Sequence, residues 1–502
     1  MKKVSTSLKL LVIGLLLVAP HIPTATSRSV ALADKLDDTP GNASDSWVYL
    51  PLLNTPNDRS HPPVSARRVN TPYVDPGATE DPLQESAIFW FGQVNRADNY
   101  SDVRIRYEAN RLVVNVEIFD RLLWYDNSPA PEPSQFESWD MVSLFLHTDP
   151  VQTDALTPAS FRFNAMVNHY QARENYQATY RGNNARWEIA NLGVTTISSW
   201  RGDALNNMVE DRGWLVQFNI PYTSLGMAST PREGAIWRLG LIVYDRDAAS
   251  ENAILTSSWP ENLQNNQPGT WGELHFGIPR FPAPPAPSSG TVMIRQGLAN
   301  AVVSDAAVGG TVDNLCPGDA DFIWNRWGYA NFAGAESSNI QNQANIDDWP
   351  CFAKYYVTFP IDQIPPGKTI HSAALILHHW GNSGTRNLAQ DSIIHVFSVA
   401  EDWREQTLSW NNAPLALENI DRIRIPWVDC TAGTGQMNWP CTPRIWDVGR
   451  AVDQAYQQGQ PVRLALYSVD TAMHSGKFFT TSETGDWNEA GRPTLVIHYG
   501  DP

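Results

Sequence analysis

The chain has 502 residues, a formal net charge of −17 and a pI near 5.0. That balance argues against partners held by broad positive electrostatics, such as nucleic acid or an acidic membrane face. An acidic glycan would need a local basic patch working against the overall field.

Lys2 and Lys3 lead an apolar run from Leu10 to Ala19, and Ala31-Leu32-Ala33 follows it. A charged start, a short apolar centre and a small-residue exit predict a secretory signal over residues 1–33. The run is about ten residues, short of the ~20 that cross a bilayer. No cysteine stands beside the cleavage site to carry a lipid. A secreted, extracellular protein without membrane insertion is therefore expected.

Residues 34–82 are rich in Pro, Asp, Asn and Ser, with one apolar island from Trp47 to Leu53. So little apolar surface cannot offset the entropy of ordering, which predicts a disordered tether. A second break, residues 279–290, is dense in proline and reads as a semi-rigid linker. The stretches 83–278 and 291–502 that remain are of ordinary size for single-core domains.

Both stretches carry the period of β structure. Val103, Ile105 and Tyr107 alternate with polar residues, and after Glu108-Ala109-Asn110-Arg111 so do Leu112, Val114, Val116 and Ile118. Period two across a short polar break is a hairpin. Strands are also expected around Trp214–Ile220 and Trp237–Val243, with Trp214 and Trp237 in the core. In the second stretch Ala353–Phe359, Leu375–Leu377, Val462–Leu466 and Leu495–Tyr499 alternate likewise. One helix is predicted from Pro443 to about Gln458, capped by Thr442, with Ile445, Val448, Val452 and Tyr456 on one face and Gly459 as its stop. The expected fold is all-β: two antiparallel, jelly-roll-like β-sandwiches joined by the Pro-rich linker.

Four cysteines, Cys316, Cys351, Cys430 and Cys441, all lie in the second half. An even count in an exported chain favours disulfides. Of three pairings the sequential one is expected, Cys316–Cys351 and Cys430–Cys441, because each closes a local loop, contributing ~4 and ~3 kcal/mol. The C-x-x-C spacing of a zinc site is missing.

Twenty tryptophans in 502 residues offer flat apolar faces of the kind that stack on a pyranose ring. Core filling is the competing use. Trp124, in a loop rich in Pro and Asn, is an exposed-platform candidate. Trp324, Trp327 and Tyr329, with Arg326 between them, form the richest aromatic-polar loop of the second domain, flanked by Cys316 and Cys351. No G-x-S-x-G, H-E-x-x-H or Walker-type motif occurs, and no enzyme is expected. His378 and His379 are neighbours on a strand, face opposite ways and cannot share a metal. Oxygen-rich loops at Asp313-Asn314, Asp319–Asp321 and Asp347-Asp348 fit a structural calcium; ordinary acidic turns account for the same residues.

Two resemblances sharpen these expectations. The stretch Asp402-Trp403-Arg404-Glu405 to Trp410-Asn411-Asn412-Ala413-Pro414, with Phe478–Glu483 and Arg492–Tyr499, resembles the signature of the DNRLRE-type β-sandwich, grouped with alginate-type carbohydrate-binding modules. That resemblance reads Trp403 and Trp410 as structural and adds Asp305 and Asn331 as calcium ligands. Residues 83–278 look like the family 9 carbohydrate-binding module fold, shared with DOMON-type domains. The carriers are Val114–Asp120, Trp139–Leu146 and Trp259-Pro260 with Trp271–Phe276. Members that bind sugar hold it between two tryptophans. Trp139 matches the first and Trp259 is the candidate for the second, although Ser143 stands where a sugar-binding glutamate is expected. The resemblances imply a non-catalytic protein whose partner is a polysaccharide, at a cell envelope or matrix. Alternatives are a structural or adhesive surface protein, and a haem-binding domain using Met141, His147, Met166 or His169.

Overall fold

The computed structural model describes residues 66–168, 173–202, 209–248, 254–282, 287–312, 320–343, 351–431 and 433–502. The signal and most of the tether expected from the sequence lie outside these residues. No helix among them is long and apolar enough to cross a membrane.

The predicted hairpin forms as two antiparallel strands, Tyr100–Tyr107 and Arg111–Phe119, with Val103 opposite Val116 and Ile105 opposite Val114. Strands Ala87–Gly92, Gly213–Pro221 and Thr195–Arg201 extend it to a five-stranded sheet. Facing it is a second sheet built on Ile236–Arg246. That strand pairs with Met141–His147 on one edge, and with Ile254–Trp259 and Gly272–Phe276 on the other. Strands Ser160–Met166, Gln177–Asn183 and Arg186–Ile189 continue it. The inward residues of both sheets, Trp214 and Trp237 among them, make one core.

The second sandwich sets Gly290–Arg295, Thr494–Gly500, Thr369–Asn382, Thr442–Asp447 and Lys477–Thr480 in one sheet. Its facing sheet holds Ser304–Val308, Cys351–Phe359, Val462–Ser468, Ser392–Ser398 and Glu418–Ile425. A second core fills the space between them.

The polar side of the first hairpin is buried, because the second sandwich lies on it. Asp102, Arg104 and Glu117 are buried, and a third apolar cluster joins Ile88, Trp90, Val94, Tyr100 and Phe119 to Trp324, Trp327, Phe352, Trp410 and Tyr467. At the centre of this seam the Lys354 ammonium lies 3.7 Å from the ring centroid of Trp410 and 4.2 Å from that of Trp90, with Tyr100 and Tyr467 each at 4.7 Å. Lys354 donates to the Tyr100 hydroxyl at 2.9 Å, and that hydroxyl donates to Asp102 at 2.6 Å. Asn342 (2.7 Å) and Tyr467 (2.9 Å) also donate to the Asp102 carboxylate from the second sandwich. Arg104, ion-paired to Glu117, donates to the Val469 carbonyl.

Three expectations need correction. Within the segment expected as a disordered tether, Arg68–Thr71 is a strand: it runs parallel to Gly272–Phe276, and Arg68 pairs with Glu418 of the second sandwich. Asn70 and Asn419 exchange hydrogen bonds across the same join, so backbone pairing supplies the order that apolar content cannot. Phe281, at the start of the expected linker, packs on the second core against Gly449; residues 283–286 lie outside the described set. The helix predicted over 443–458 starts at Gly449 and ends at Gln458, with Gly459 in the left-handed conformation. Thr442–Asp447 is a strand paired to 374–379, because burying Trp446, whose indole donates to the Ile394 carbonyl, outweighs the helical spacing of Ile445, which is left exposed.

Burial of a charge whose partner has been removed is costly, so Asp102→Ala is expected to destabilise the protein by ~3–5 kcal/mol, measured by chemical denaturation. Calorimetry of the wild type is expected to show both sandwiches melting in one transition, and two resolved transitions would contradict the seam.

Candidate functional site

The aromatic residues singled out in the sequence divide by what covers them. Trp324 is buried and stacks on Phe119 of the first sandwich, centroids 4.6 Å apart. Trp327 is buried against Trp410 at 4.9 Å. Both serve the seam and present no face to a ligand, which corrects their reading as platforms. Trp259 is likewise buried, tilted on Phe89 at 4.3 Å. Tyr329, 58% exposed, and Arg326 remain on the surface. The Trp410-Asn411 motif also serves the seam: Asn411 accepts from the Val94 amide and donates to its carbonyl.

Trp124 and Trp139 are half-buried and brought together, since the Arg246 guanidinium lies 5.1 Å from the first ring and 4.4 Å from the second. Asp140 fixes this arrangement by accepting from the backbone amides of Trp124 and Arg246. Beside it, on the outer face of the same sheet, lies a set the sequence reading missed. Arg162 donates to Asn164 at 2.9 Å and to Ser143 at 3.1 Å, ion-pairs with Glu137, and packs over Phe145 and Tyr180. Ser143, where a glutamate was expected, donates to Asn164 at 2.8 Å. The available signal was the alternation Arg162-Phe163-Asn164, which puts both polar groups on one face of a strand.

The second sandwich carries an aromatic group that the sequence reading also missed. Trp380 lies 5.9 Å from Trp439 and 5.7 Å from Phe478, and Trp439 meets Trp487 edge-on at 5.2 Å. Trp487 is 63% exposed. Cys430 and Cys441 are disulfide-bonded, their Cα atoms 5.4 Å apart, as the sequential pairing expects. The loop they close carries Trp439. Cys351 is also disulfide-bonded, while Cys316 lies outside the described residues. Arg492 holds the Trp487 loop by donating to the Thr484 and Gln296 carbonyls and to Asp486. A Cβ at Gly485 would lie 2.8 Å from Trp487 Cδ1, so glycine there leaves room for the ring.

Asp305 and Asn331 have separate partners. Asp305 is buried, accepts from Tyr355 and from the Ser482 amide, and is pushed up to about 7 by burial. Asn331 donates to the Glu405 and Leu408 carbonyls, and its oxygen accepts from Ala333. Of the oxygen-rich loops, 313–319 and 344–350 lie outside the described residues. Among the described residues, one acidic group has ligand atoms within 4.8 Å of one another: Asp120, Asp245 and Asp247. Arg121 already approaches Asp247 at 3.6 Å. Met141 and Met166 pair across two strands in a cluster with Phe136, Tyr176 and Tyr244, and buried His147 contacts Ser160. His169 lies outside the described residues. His379 packs on Phe479 while His378 contacts the Gly491 carbonyl, so the two rings diverge as expected.

Residues 320–499 match the model of carbohydrate-binding module family 96. No curated protein matches the chain. Among solved structures it is similar to a carbohydrate-binding module of family 9 from Caldicellulosiruptor kristjanssonii in complex with cellotriose. The identity is 15%, over 43% of this chain and 100% of that one, with a TM-score of 0.29. The complex of a family 9 module from that organism with glucose gives 15% identity over the same shares and a TM-score of 0.28.

Burial pushes Asp245 up to about 8, and Asp247 adds to the shift; Asp120 and Asp140 beside it are also raised, first by burial and then by Asp245. A carboxyl whose folded pKa lies above its unfolded value keeps its proton in the folded state, so stability is lost as pH rises between about 4 and 8. Asp245→Asn is expected to flatten this slope in melting temperatures taken across that range, and an unchanged slope would contradict the assignment.

Proposed function

We propose that the chain is an exported, non-catalytic carbohydrate-binding protein whose partner is a polysaccharide of a cell envelope or extracellular matrix. The observation that carries this reading is the match of residues 320–499 to a carbohydrate-binding family. Chemistry at the surface supports it. A pyranose has an apolar C–H face that stacks on an indole and a rim of hydroxyls read by polar groups at the ring edge. In the first sandwich Trp124 and Trp139 supply faces, and exposed Glu137, held by the buried Arg162, supplies an edge group. The seam holds the two sandwiches as one body, so sites on each would reach a polymer without a linker entropy cost.

Native electrophoresis of the full chain through gels containing single polysaccharides tests the reading. Retardation by at least one glycan is expected, with Trp139→Ala weakening apparent affinity about tenfold, a loss of ~1.4 kcal/mol. No reducing sugar should be released on prolonged incubation. A protein retarded by none of them, and co-purifying with a protein partner, would instead be a structural or adhesive element.

A further inference from the structure

The buried network at the seam brings an amine, a side-chain amide and a carboxyl to one place. Lys354 lies on Cys351–Phe359 and Asn342 on the adjoining strand Ser337–Gln343, where Asn342 stands opposite Phe352 in an antiparallel ladder. Asn342 is therefore a diagonal neighbour of Lys354, and such a pair is within reach of a long side chain. Both side chains turn toward the first sandwich and converge on Asp102. Asn342 Nδ2 donates to one carboxyl oxygen at 2.7 Å. Lys354 Nζ donates to the Tyr100 hydroxyl at 2.9 Å, and that hydroxyl donates to the other oxygen at 2.6 Å. The Asn342 carbonyl oxygen is buried and has no hydrogen-bond partner among the described residues.

Water is shut out of this place. None of Lys354, Asn342 and Asp102 is more than 2% exposed, and the rings of Trp90, Tyr100, Trp410 and Tyr467 enclose the amine. A setting of that kind favours neutral groups over charged ones. Burial drives the Lys354 amine well below the ordinary lysine range, against the pull of Asp102. It also raises the Asp102 carboxyl, against Arg104 and Lys354. Two further charges beside Asp102, Arg104 and Glu117, are paired with each other at 3.1 Å. A neutral amine is a nucleophile, and a carboxyl linked to both amine and amide can carry the proton between them. Fixed proximity then supplies what the same groups lack in solution.

We propose that Lys354 and Asn342 condense to an intramolecular isopeptide bond, with Asp102 as the proton carrier. Lys354 Nζ attacks Asn342 Cγ, and the new C–N bond forms there. The proton that Nζ gives up passes through the Tyr100 hydroxyl to Asp102. Asp102 delivers a proton to Asn342 Nδ2, and the Cγ–Nδ2 bond breaks to release ammonia. Nothing is oxidised or reduced, and Asp102 ends as it began. A neutral amide thereby replaces a buried amine whose charged form is costly. Both reacting groups belong to the second sandwich and Asp102 to the first, so the cross-link forms only after the seam has closed.

Intact-mass spectrometry of the denatured, disulfide-reduced protein, with its N-terminus identified, tests the proposal. The wild type is expected to be lighter than its sequence by one ammonia. A protease digest should yield a branched peptide joining the segment of Asn342 to that of Lys354. Asn342→Ala and Lys354→Met are expected to show the full sequence mass, as is Asp102→Asn, which keeps the shape of the carboxyl but cannot carry the proton. Wild-type protein at full mass, with Asn342 and Lys354 in unbranched peptides, overturns the bond, and this reading needs no variant to fold. A loss of ammonia that maps to other residues overturns it equally. An Asp102→Asn protein that carries the complete cross-link overturns the role assigned to Asp102.

Discussion

An ammonium group enclosed by four aromatic rings holds the two halves of this molecule together. Lys354 comes from the second sandwich, as do Trp410 and Tyr467, while Trp90 and Tyr100 come from the first. Burial drives its pKa well down, and Asp102 across the seam is the charge that opposes that shift. Desolvating a cation is expensive, and ring quadrupoles return only a few kcal/mol. Asp102 receives hydrogen bonds from Tyr100, Asn342 and Tyr467, and Arg104 beside it is ion-paired to Glu117. Such a network tolerates one docking geometry, and the seam therefore specifies orientation as well as adhesion.

That constraint redistributes the tryptophans. A chain of two independent sandwiches would leave both outer faces of its sheets in water, with its aromatic loops free for ligands. Here one outer face of each sandwich is consumed by the other, and Trp324 and Trp327 fill the join. The surfaces left for contact lie away from it: the Trp124–Arg246–Trp139 stack with the Arg162 network, and the Trp380–Trp439–Trp487 group. A polymer touching both would meet sites carried on one body.

The two candidate surfaces differ in chemistry. The first places guanidinium groups beside its rings, at Arg246 and Arg162, although both are engaged by carbonyls or carboxylates. The second stiffens its rings with a disulfide and an arginine clamp. The chain thus presents two aromatic surfaces of different chemistry.

Much was legible without coordinates. The period-two pattern located the hairpin at residues 100–119, put Trp214 and Trp237 in the core, and indicated antiparallel sandwiches, because strand side chains alternate between faces whatever lies beyond them. Cysteine spacing predicted the Cys430–Cys441 bridge, since the entropy of closing a loop favours near neighbours. Tertiary structure decided what covers each outward face. Alternation reports that Asp102 and Arg104 point away from one core, and is silent on whether water or a second domain receives them. The same silence made Trp324 and Trp327 candidates for ligand contact, left the pairing of Arg68–Thr71 unseen, and suggested a helix where Trp446 lies on a strand. Local sequence determines which way a side chain points; only long-range packing determines what it meets there.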